Sequence, residues 1–300
     1  MSKPVLWTLL CMLSLACSAE MSSPEADELE LGSLSSTLRT GQLSTGVDLE
    51  FTEQGAQPGD AVILIHGYAD SHRAYSQFAK TFPRNFHVFL LDQRGQGDSS
   101  KPDCCYGLRN DFARDVVAFM DSQGIQRAHL VGHSMGGIIA QSVAMDFPDR
   151  VRSLTLIATA PTAVGNPFGL SFQPIIDTLV DPIPPALAVQ LQSLFLFRDV
   201  SDTVFNASVE DTLRVPARIL RAMFDSLLSE NRSSELGRIR APTLILFGDR
   251  DQVFSLADQQ KLDSGIPDSR LIVYPQTGHR PQTERSVEVG RDIASFLRSH

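Results

Sequence analysis

A serine flanked by glycines offers the clearest chemistry in this chain, in the stretch Gly132-His133-Ser134-Met135-Gly136-Gly137. The spacing G-x-S-x-G is typical of a sharp turn between a strand and a helix, which leaves the serine hydroxyl exposed at its tip. Gly132 and Gly136 lack Cβ atoms and therefore let the strand and the helix approach each other closely. A serine hydroxyl placed in this way attacks a carbonyl carbon once a neighbouring base removes its proton. The same spacing also fits an ordinary turn, so other parts of the chain are needed to tell a nucleophilic serine from a structural one.

The sequence on either side of this turn predicts the strand and the helix that it would join. Residues 127–131 form a short, mostly apolar run of the kind found in buried strands. Residues 138–145 are apolar on most faces and contain neither Gly nor Pro, which favours a buried helix. Strand, turn and helix therefore follow one another as a nucleophilic serine requires.

An acid and a base occur late in the chain, each after an apolar run that predicts a strand. The run 242–247 precedes Asp249 and Asp251, and the run 270–274 precedes His279. Parallel strands bring their carboxyl ends to one edge of a sheet, so these side chains would meet the serine there. The chain order serine, acid, histidine is the one expected for a nucleophile, an orienting carboxylate and a base on such a sheet. Spacing alone leaves both aspartates open as the acid.

A fourth loop predicts where a developing negative charge would be held. The apolar run 61–65 leads into His66-Gly67-Tyr68, and Gly67 lets the backbone turn so that an N–H group points at the nucleophile. The backbone N–H groups of Tyr68 and Met135 would then form an oxyanion hole. The alternative is an ordinary loop glycine, with His66 holding the loop by hydrogen bonds.

Strand-like runs alternate with helix-like segments before and after the serine turn, which predicts an α/β fold with a mostly parallel central sheet flanked by helices. One of these helices is expected around residues 72–81. The predicted core spans residues 37–160 and 236–300, and an inserted helical cap spans residues 161–235. The cap is rich in Pro and Phe, and its aromatic side chains either line an apolar pocket or form the core of the cap itself.

The first residues resemble an export signal rather than part of the fold. Residues 1–16 contain a short apolar run and are predicted to be a signal peptide, and residues 17–36 are predicted to be a flexible tether. The run ends at Cys17, as in a bacterial lipobox, although Ser14 stands where Leu or Val is usual. We favour an exported lipoprotein anchored through Cys17 to the outer or cell membrane over a freely secreted or periplasmic protein.

Composition excludes several other classes of function. The net charge of -9 and the absence of a basic run argue against nucleic-acid binding. Cys104 and Cys105 are adjacent and make a poor metal site, so they either form a vicinal disulfide or pair with nothing. The loop over residues 92–99 lacks the third glycine and the following helix of a dinucleotide site. We therefore expect no metal and no cofactor.

Five motifs make the sequence resemble α/β-hydrolase-fold proteins over roughly residues 44–300. They are His66-Gly67, Asp92-Gln93-Arg94-Gly95-Gln96-Gly97-Asp98-Ser99, Gly132-His133-Ser134-Met135-Gly136-Gly137, Gly248-Asp249-Arg250-Asp251 and Gly278-His279. The resemblance implies an α/β-hydrolase fold with a cap, and it favours Asp251 as the acid because that residue usually lies three positions after the glycine. Gln282 departs from the family, in which many members carry an aromatic residue in this region.

Ser134 narrows the reaction that the resemblance implies. Relatives that open epoxides or remove halide carry Asp at this turn, so Ser134 argues against both reactions. The expected activity is hydrolysis of a small-molecule carboxylic ester with an apolar portion, through an acyl-enzyme on Ser134. Hydrolysis of a lactone, a thioester or a carbon–carbon bond, and perhydrolysis, use the same residues and stay open, as does a non-catalytic binding module. Neither the substrate nor the oligomeric state follows from the sequence.

Overall fold

The computed structural model describes residues 37–55 and 57–300. The predicted signal peptide over residues 1–16, the predicted tether over residues 17–36 and the candidate lipid site Cys17 lie outside the described residues. Within the described ranges, no helix combines the length and the apolar character that a membrane span requires.

The described residues contain one sheet of eight strands in the order β1-β2-β4-β3-β5-β6-β7-β8. The strands β1 and β2 pair antiparallel with their neighbours, and every other pairing is parallel. This confirms the predicted α/β fold with a mostly parallel sheet. The strand bounds are β1 (Arg39–Gln42), β2 (Asp48–Gln54), β3 (Asp60–Ile65), β4 (Phe86–Leu91), β5 (Ala128–His133), β6 (Val151–Ile157), β7 (Thr243–Gly248) and β8 (Ser269–Tyr274).

Helices lie between and after the parallel strands. Their bounds are α1 (Ala113–Ser122), α2 (Met135–Asp146), α3 (Pro167–Asp177), α4 (Pro185–Leu194), α5 (Asp202–Arg214), α6 (Ala217–Ser229), α7 (Leu256–Gly265), α8 (Pro281–Glu284) and α9 (Ser286–Arg298). The helix expected over residues 72–81 is instead two 3-10 helices, His72–Tyr75 and Ala79–Thr81. The prediction of one helix was wrong here, because residues 76–78 between them form a turn.

Each face of the sheet packs against its own apolar cluster. Alternate residues of a strand point to opposite faces, so Ile63 joins the cluster that contains α1 and α2, whereas Leu64 joins the cluster that contains α9. Both side chains are fully buried. Burial on both faces explains why the central strands are continuous apolar runs rather than alternating ones.

The helices α3, α4, α5 and α6 stand between β6 and β7 in the chain, where the sequence predicts the inserted cap. The exact bounds of the predicted domains, 161–235 for the cap and 37–160 with 236–300 for the core, stay a prediction. The sequence left open whether the two adjacent cysteines are bonded to each other. In the structure, Cys104 and Cys105 form a vicinal disulfide in an exposed loop.

Candidate active site

Ser134 occupies the sharp turn between β5 and α2 that the spacing of its glycines predicts. Its backbone is in an unusual region, with φ 52° and ψ -120°. A Cβ atom on Gly132 would lie 2.4 Å from the carbonyl oxygen of Gly136, and a Cβ atom on Gly136 would lie 2.1 Å from that of Ile65. Only glycine fits at these two positions, which is why strand, turn and helix can pack so tightly. The Ser134 carbonyl accepts a hydrogen bond from Thr159 Oγ1 (2.7 Å), which holds the turn.

His279 and Asp251 meet at the carboxyl ends of β8 and β7. The His279 Nδ1 atom lies 2.9 Å from Asp251 Oδ2, and both side chains are almost completely buried. The other carboxylate oxygen of Asp251 accepts hydrogen bonds from the backbone N–H groups of Val253 (2.7 Å) and Phe254 (3.2 Å). These bonds fix the carboxylate so that it orients the imidazole ring. Asp249 instead accepts a bond from the Thr277 backbone (3.4 Å), so the structure brings Asp251, not Asp249, to the histidine.

Ser134 and His279 line the same cavity. No hydrogen bond joins their side chains within the described part of the chain, and such bonds are often long in unliganded enzymes and tighten when substrate binds. Two backbone contacts set the position of the histidine, since its N–H donates to the carbonyl of Phe195 (3.0 Å) and its carbonyl accepts from His133 Nε2 (2.8 Å). Burial lowers the pKa of His133 well below its usual value, and the neighbouring His279 lowers it further. His133 is thus a neutral donor, a positioning role that the sequence did not indicate.

The predicted oxyanion hole is adjacent to the serine. Tyr68 lines the cavity and Met135 begins α2 directly after Ser134. Neither backbone N–H has a hydrogen-bond partner among the residues that the structure describes, so both are free to bind an oxyanion. A Cβ atom on Gly67 would lie 3.3 Å from Ser134 Cβ. The loop therefore passes very close to the serine.

His66 shapes this loop rather than facing the cavity. Its Nε2 atom accepts a hydrogen bond from the backbone N–H of Gln93 (3.1 Å), and its Nδ1 atom donates to the carbonyl of Gly67 (2.8 Å). Burial lowers its pKa, which agrees with a neutral ring in this arrangement. The sequence-based alternative for His66, a loop-holding role, describes these contacts.

The cavity next to Ser134 has a volume of about 40 Å³ and an apolar wall. Among the described residues, no Asp, Glu, Lys or Arg side chain lines it. The amide of Asn166 is used by the backbone of Val253 and Gly169 (both 2.8 Å), and the hydroxyl of Tyr68 donates to the carbonyl of Leu220 (2.9 Å). Four of the aromatic cap residues line it, namely Phe168, Phe172, Phe195 and Phe224. The cavity therefore suits an uncharged, apolar group.

A carboxylate that the sequence did not indicate ties the histidine loop to the cap. Glu284 accepts hydrogen bonds from the backbone N–H groups of Gly278 (3.0 Å), Phe197 (3.3 Å) and Arg198 (3.1 Å). Burial raises the pKa of Glu284, and the bonds from these N–H groups act in the opposite direction. The residue before His279 and the segment after α4 are thus held by one side chain.

Comparison with known proteins places this geometry in a family. Residues 60–286 match the family model of the alpha/beta hydrolase fold. The chain is 31% identical over 270 residues to a 2-hydroxy-6-oxononadienedioate/2-hydroxy-6-oxononatrienedioate hydrolase of Comamonas testosteroni, covering 81% of this chain and 89% of that protein. It is 30% identical over 265 residues to a 2-hydroxy-6-oxo-6-phenylhexa-2,4-dienoate hydrolase of the same species, covering 83% of this chain and 91% of that protein.

A solved structure agrees with these relatives. The crystal structure of a membrane phospholipase A, described as a bacterial virulence factor, superposes with a TM-score of 0.78 at 27% identity. The match covers 88% of this chain and 86% of that chain. These similarities support hydrolase activity, and the chain belongs to the α/β-hydrolase-fold family.

Proposed function

We propose that this protein is a serine hydrolase that cleaves an uncharged carboxylic ester with an apolar acyl portion. The observation that carries the proposal is the apolar cavity shared by Ser134 and His279, beside the 2.9 Å contact between His279 and Asp251. A nucleophile, a base and an oriented carboxylate are the groups that acyl transfer by serine needs. No cofactor or metal is required for this reaction.

The mechanism follows from the positions of these groups. His279 Nε2 removes the proton of Ser134 Oγ as that oxygen attacks the ester carbonyl, and the N–H groups of Tyr68 and Met135 bind the negative oxygen of the tetrahedral intermediate. The intermediate collapses, the alcohol leaves with the proton from His279, and the acyl group stays on Ser134. A water molecule then gives its proton to His279 and attacks the acyl-enzyme, which releases the acid and restores the serine.

The second candidate is hydrolysis of a carbon–carbon bond, which the names of two relatives favour. Those names describe a dienedioate, a trienedioate and a dienoate, all of which carry carboxylates. Moving a carboxylate out of water costs several kcal/mol unless a cation or hydrogen-bond donors replace the water. No cationic side chain lines the cavity within the described residues, and the similar phospholipase acts on lipids by its name. Both observations support an ester over an acidic dienoate.

A panel of p-nitrophenyl esters from acetate to laurate, with a 2-hydroxy-6-oxo-dienoate alongside, tests the proposal. Ser134→Ala should lower kcat by about 10⁶-fold, and a fluorophosphonate should add to the wild-type chain but not to this variant, as read by intact mass. Asp251→Asn should lower kcat by about 10⁴-fold, whereas the matched control Asp249→Asn should retain activity. Ester turnover that survives in Ser134→Ala, or a clear preference for the dienoate, would reject the ester hydrolase.

Export and lipid attachment form a separate proposal that rests on sequence alone. The apolar run before Cys17 supports an exported lipoprotein held at a bacterial membrane. Wild-type protein should partition into detergent, and Cys17→Ala should shift it to the aqueous phase. Equal partitioning of the two proteins would leave ordinary secretion, with cleavage near Ser18 or Ala19, as the better interpretation.

A further inference from the structure

The outer surface of the cap carries apolar side chains where charged ones are usual. Six of them are at least 40% exposed: Val164 (44%), Leu170 (53%), Ile175 (40%), Val180 (71%), Val189 (43%) and Phe197 (50%). The first four lie on α3 or flank it, and we call these four residues the α3 face. Exposed single apolar residues are common on proteins, but a cluster of large ones indicates a surface that contacts something else.

The segment that carries these side chains, residues 161–197, is almost free of charge. Residues 161–197 contain two charged residues, Asp177 and Asp181, although 20% of the whole chain is charged. The segment between Arg152 and Arg198 contains no Lys or Arg at all. A protein partner is usually matched by charged groups at the rim of its contact surface, and this segment offers few of them. The acyl-chain region of a bilayer needs no charged groups on the protein.

The helix α3 carries apolar side chains on its buried side and, beside Ser171 and Asp177, on its exposed side. Phe172 and Ile176 line the cavity beside Ser134, while Leu170 and Ile175 are exposed. Large apolar side chains on the exposed side of a helix indicate a surface that contacts something else. Here one side is buried in protein and the other is not, so α3 forms the wall between the cavity and an uncovered apolar surface.

We propose that the α3 face docks on the surface of a lipid bilayer. An apolar helix face that lies in the interface gains free energy from its buried area, and without cations it gains nothing from anionic lipid. The N-terminal sequence is compatible with this arrangement, because the stretch between Cys17 and residue 37 could extend to about 65 Å and would let an anchored domain turn its cap to the membrane. The docking surface is independent of the proposed ester hydrolysis.

The absence of cations from this segment predicts a preference for zwitterionic over anionic lipid. Binding should be strongest to vesicles of phosphatidylcholine and should change little with salt, because no ion pairs are formed. Vesicles that contain phosphatidylglycerol should bind less protein, since the chain carries a net charge of -9 that an anionic surface repels.

Cosedimentation with phosphatidylcholine vesicles tests the proposal. The full chain with Cys17→Ala, made without lipid attachment, is the common background, so that the N-terminal run is the same in every sample. The variant Leu170→Glu/Ile175→Glu should lower the partition coefficient by about tenfold or more. The matched control Leu256→Glu/Val287→Glu exchanges two exposed apolar residues outside the cap (43% and 64% exposed) for the same two charges and should bind like the background.

Four results would overturn the proposal. Three come from vesicles: no binding by the background protein, equal loss of binding in the cap variant and in the control, and preferential binding to anionic vesicles that salt abolishes. The fourth comes from sedimentation velocity without vesicles, because a dimer that only Leu170→Glu/Ile175→Glu dissociates would make this face a contact between two copies. Turnover of a short soluble ester reports that each variant is folded and is measured apart from binding.

Discussion

Arg280 and Asp70 form a buried ion pair next to the histidine loop. Arg280 Nη2 donates to Asp70 Oδ2 at 3.0 Å, and the two side chains are 4% and 1% exposed. The guanidinium also donates to Ser208 Oγ on α5 (2.8 Å) and lies over the ring of Phe195. Among the described residues, Arg280 Nε and Asp70 Oδ1 have no hydrogen-bond partner. The pair therefore joins core and cap without satisfying all of its own polar atoms.

Removing one partner should cost far more than removing both. Arg280→Met leaves the Asp70 carboxylate buried and unpaired, and such a change typically lowers the free energy of unfolding by about 3–5 kcal/mol. Adding Asp70→Asn removes the stranded charge and should recover about 2–4 kcal/mol of that loss. The double variant should thus be more stable than Arg280→Met alone, although it has lost more of the native contact.

Urea unfolding measures this coupling when the midpoints and slopes of the wild type, Arg280→Met, Asp70→Asn and the double variant are compared. A second readout is pH, because burial raises the pKa of Asp70 and the loss of Arg280 would raise it further. A carboxyl with a raised pKa in the folded state is stable when protonated and loses stability as pH rises through that pKa. The penalty of Arg280→Met should be larger at about pH 8 than at about pH 5. Additive single effects, or a penalty that does not change with pH, would refute the reasoning.

Three further outcomes are expected from contacts outside the reacting groups. Glu284→Gln should lower the free energy of unfolding by about 2–3 kcal/mol and also kcat, because the backbone N–H groups of Gly278 on the histidine loop and of Phe197 and Arg198 in the cap lose a charged acceptor. Glu288→Gln on the surface should change either quantity little, and thermal unfolding and ester turnover check both. Burial lowers the pKa of His129 to about 4 from 6.5, so between these pH values the unfolded chain binds a proton that the folded chain does not. The free energy of unfolding should therefore fall by up to about 3 kcal/mol as pH drops from 6.5 to 4. Urea midpoints measured against pH should show this slope in the wild type and lose it in His129→Gln. Replacing Cys104 and Cys105 with serine should change the free energy of unfolding by less than about 1 kcal/mol, because a disulfide between adjacent residues closes almost no loop; an unchanged urea midpoint is the expected result.

The sheet and the reacting groups could be predicted because the backbone limits the choice of residue there. Buried parallel strands demand continuous apolar runs, and the run before each loop located β3, β5, β7 and β8 within a few residues. The turn at Ser134 demands glycine on both sides, because a Cβ atom would come within 2.4 Å of backbone oxygen at Gly132 and within 2.1 Å at Gly136. Where the backbone geometry allows only one residue type, that residue in the sequence predicts the geometry.

The contacts that hold the site could not be predicted, because they join residues far apart in the chain. Arg280 and Asp70 are separated by 210 positions, and nothing near either residue indicates the other. Glu284 lies in a polar stretch where an exposed side chain would look the same. The periodicity of α3 likewise predicts a helix but not which of its phenylalanines face the cavity, since both sides of the helix are apolar.

That double apolar character makes α3 the place where selectivity and docking can be separated. Phe172 and Ile176 line the cavity, and Leu170 and Ile175 are exposed on the same helix. Enlarging the cavity from inside, as in Phe172→Ala, should shift the preferred acyl length and leave vesicle binding unchanged, whereas charges on the outer side should do the reverse. If a single helix serves both roles, the two sets of variants must affect different measurements; if both sets alter only acyl preference, α3 is a pocket wall and nothing more.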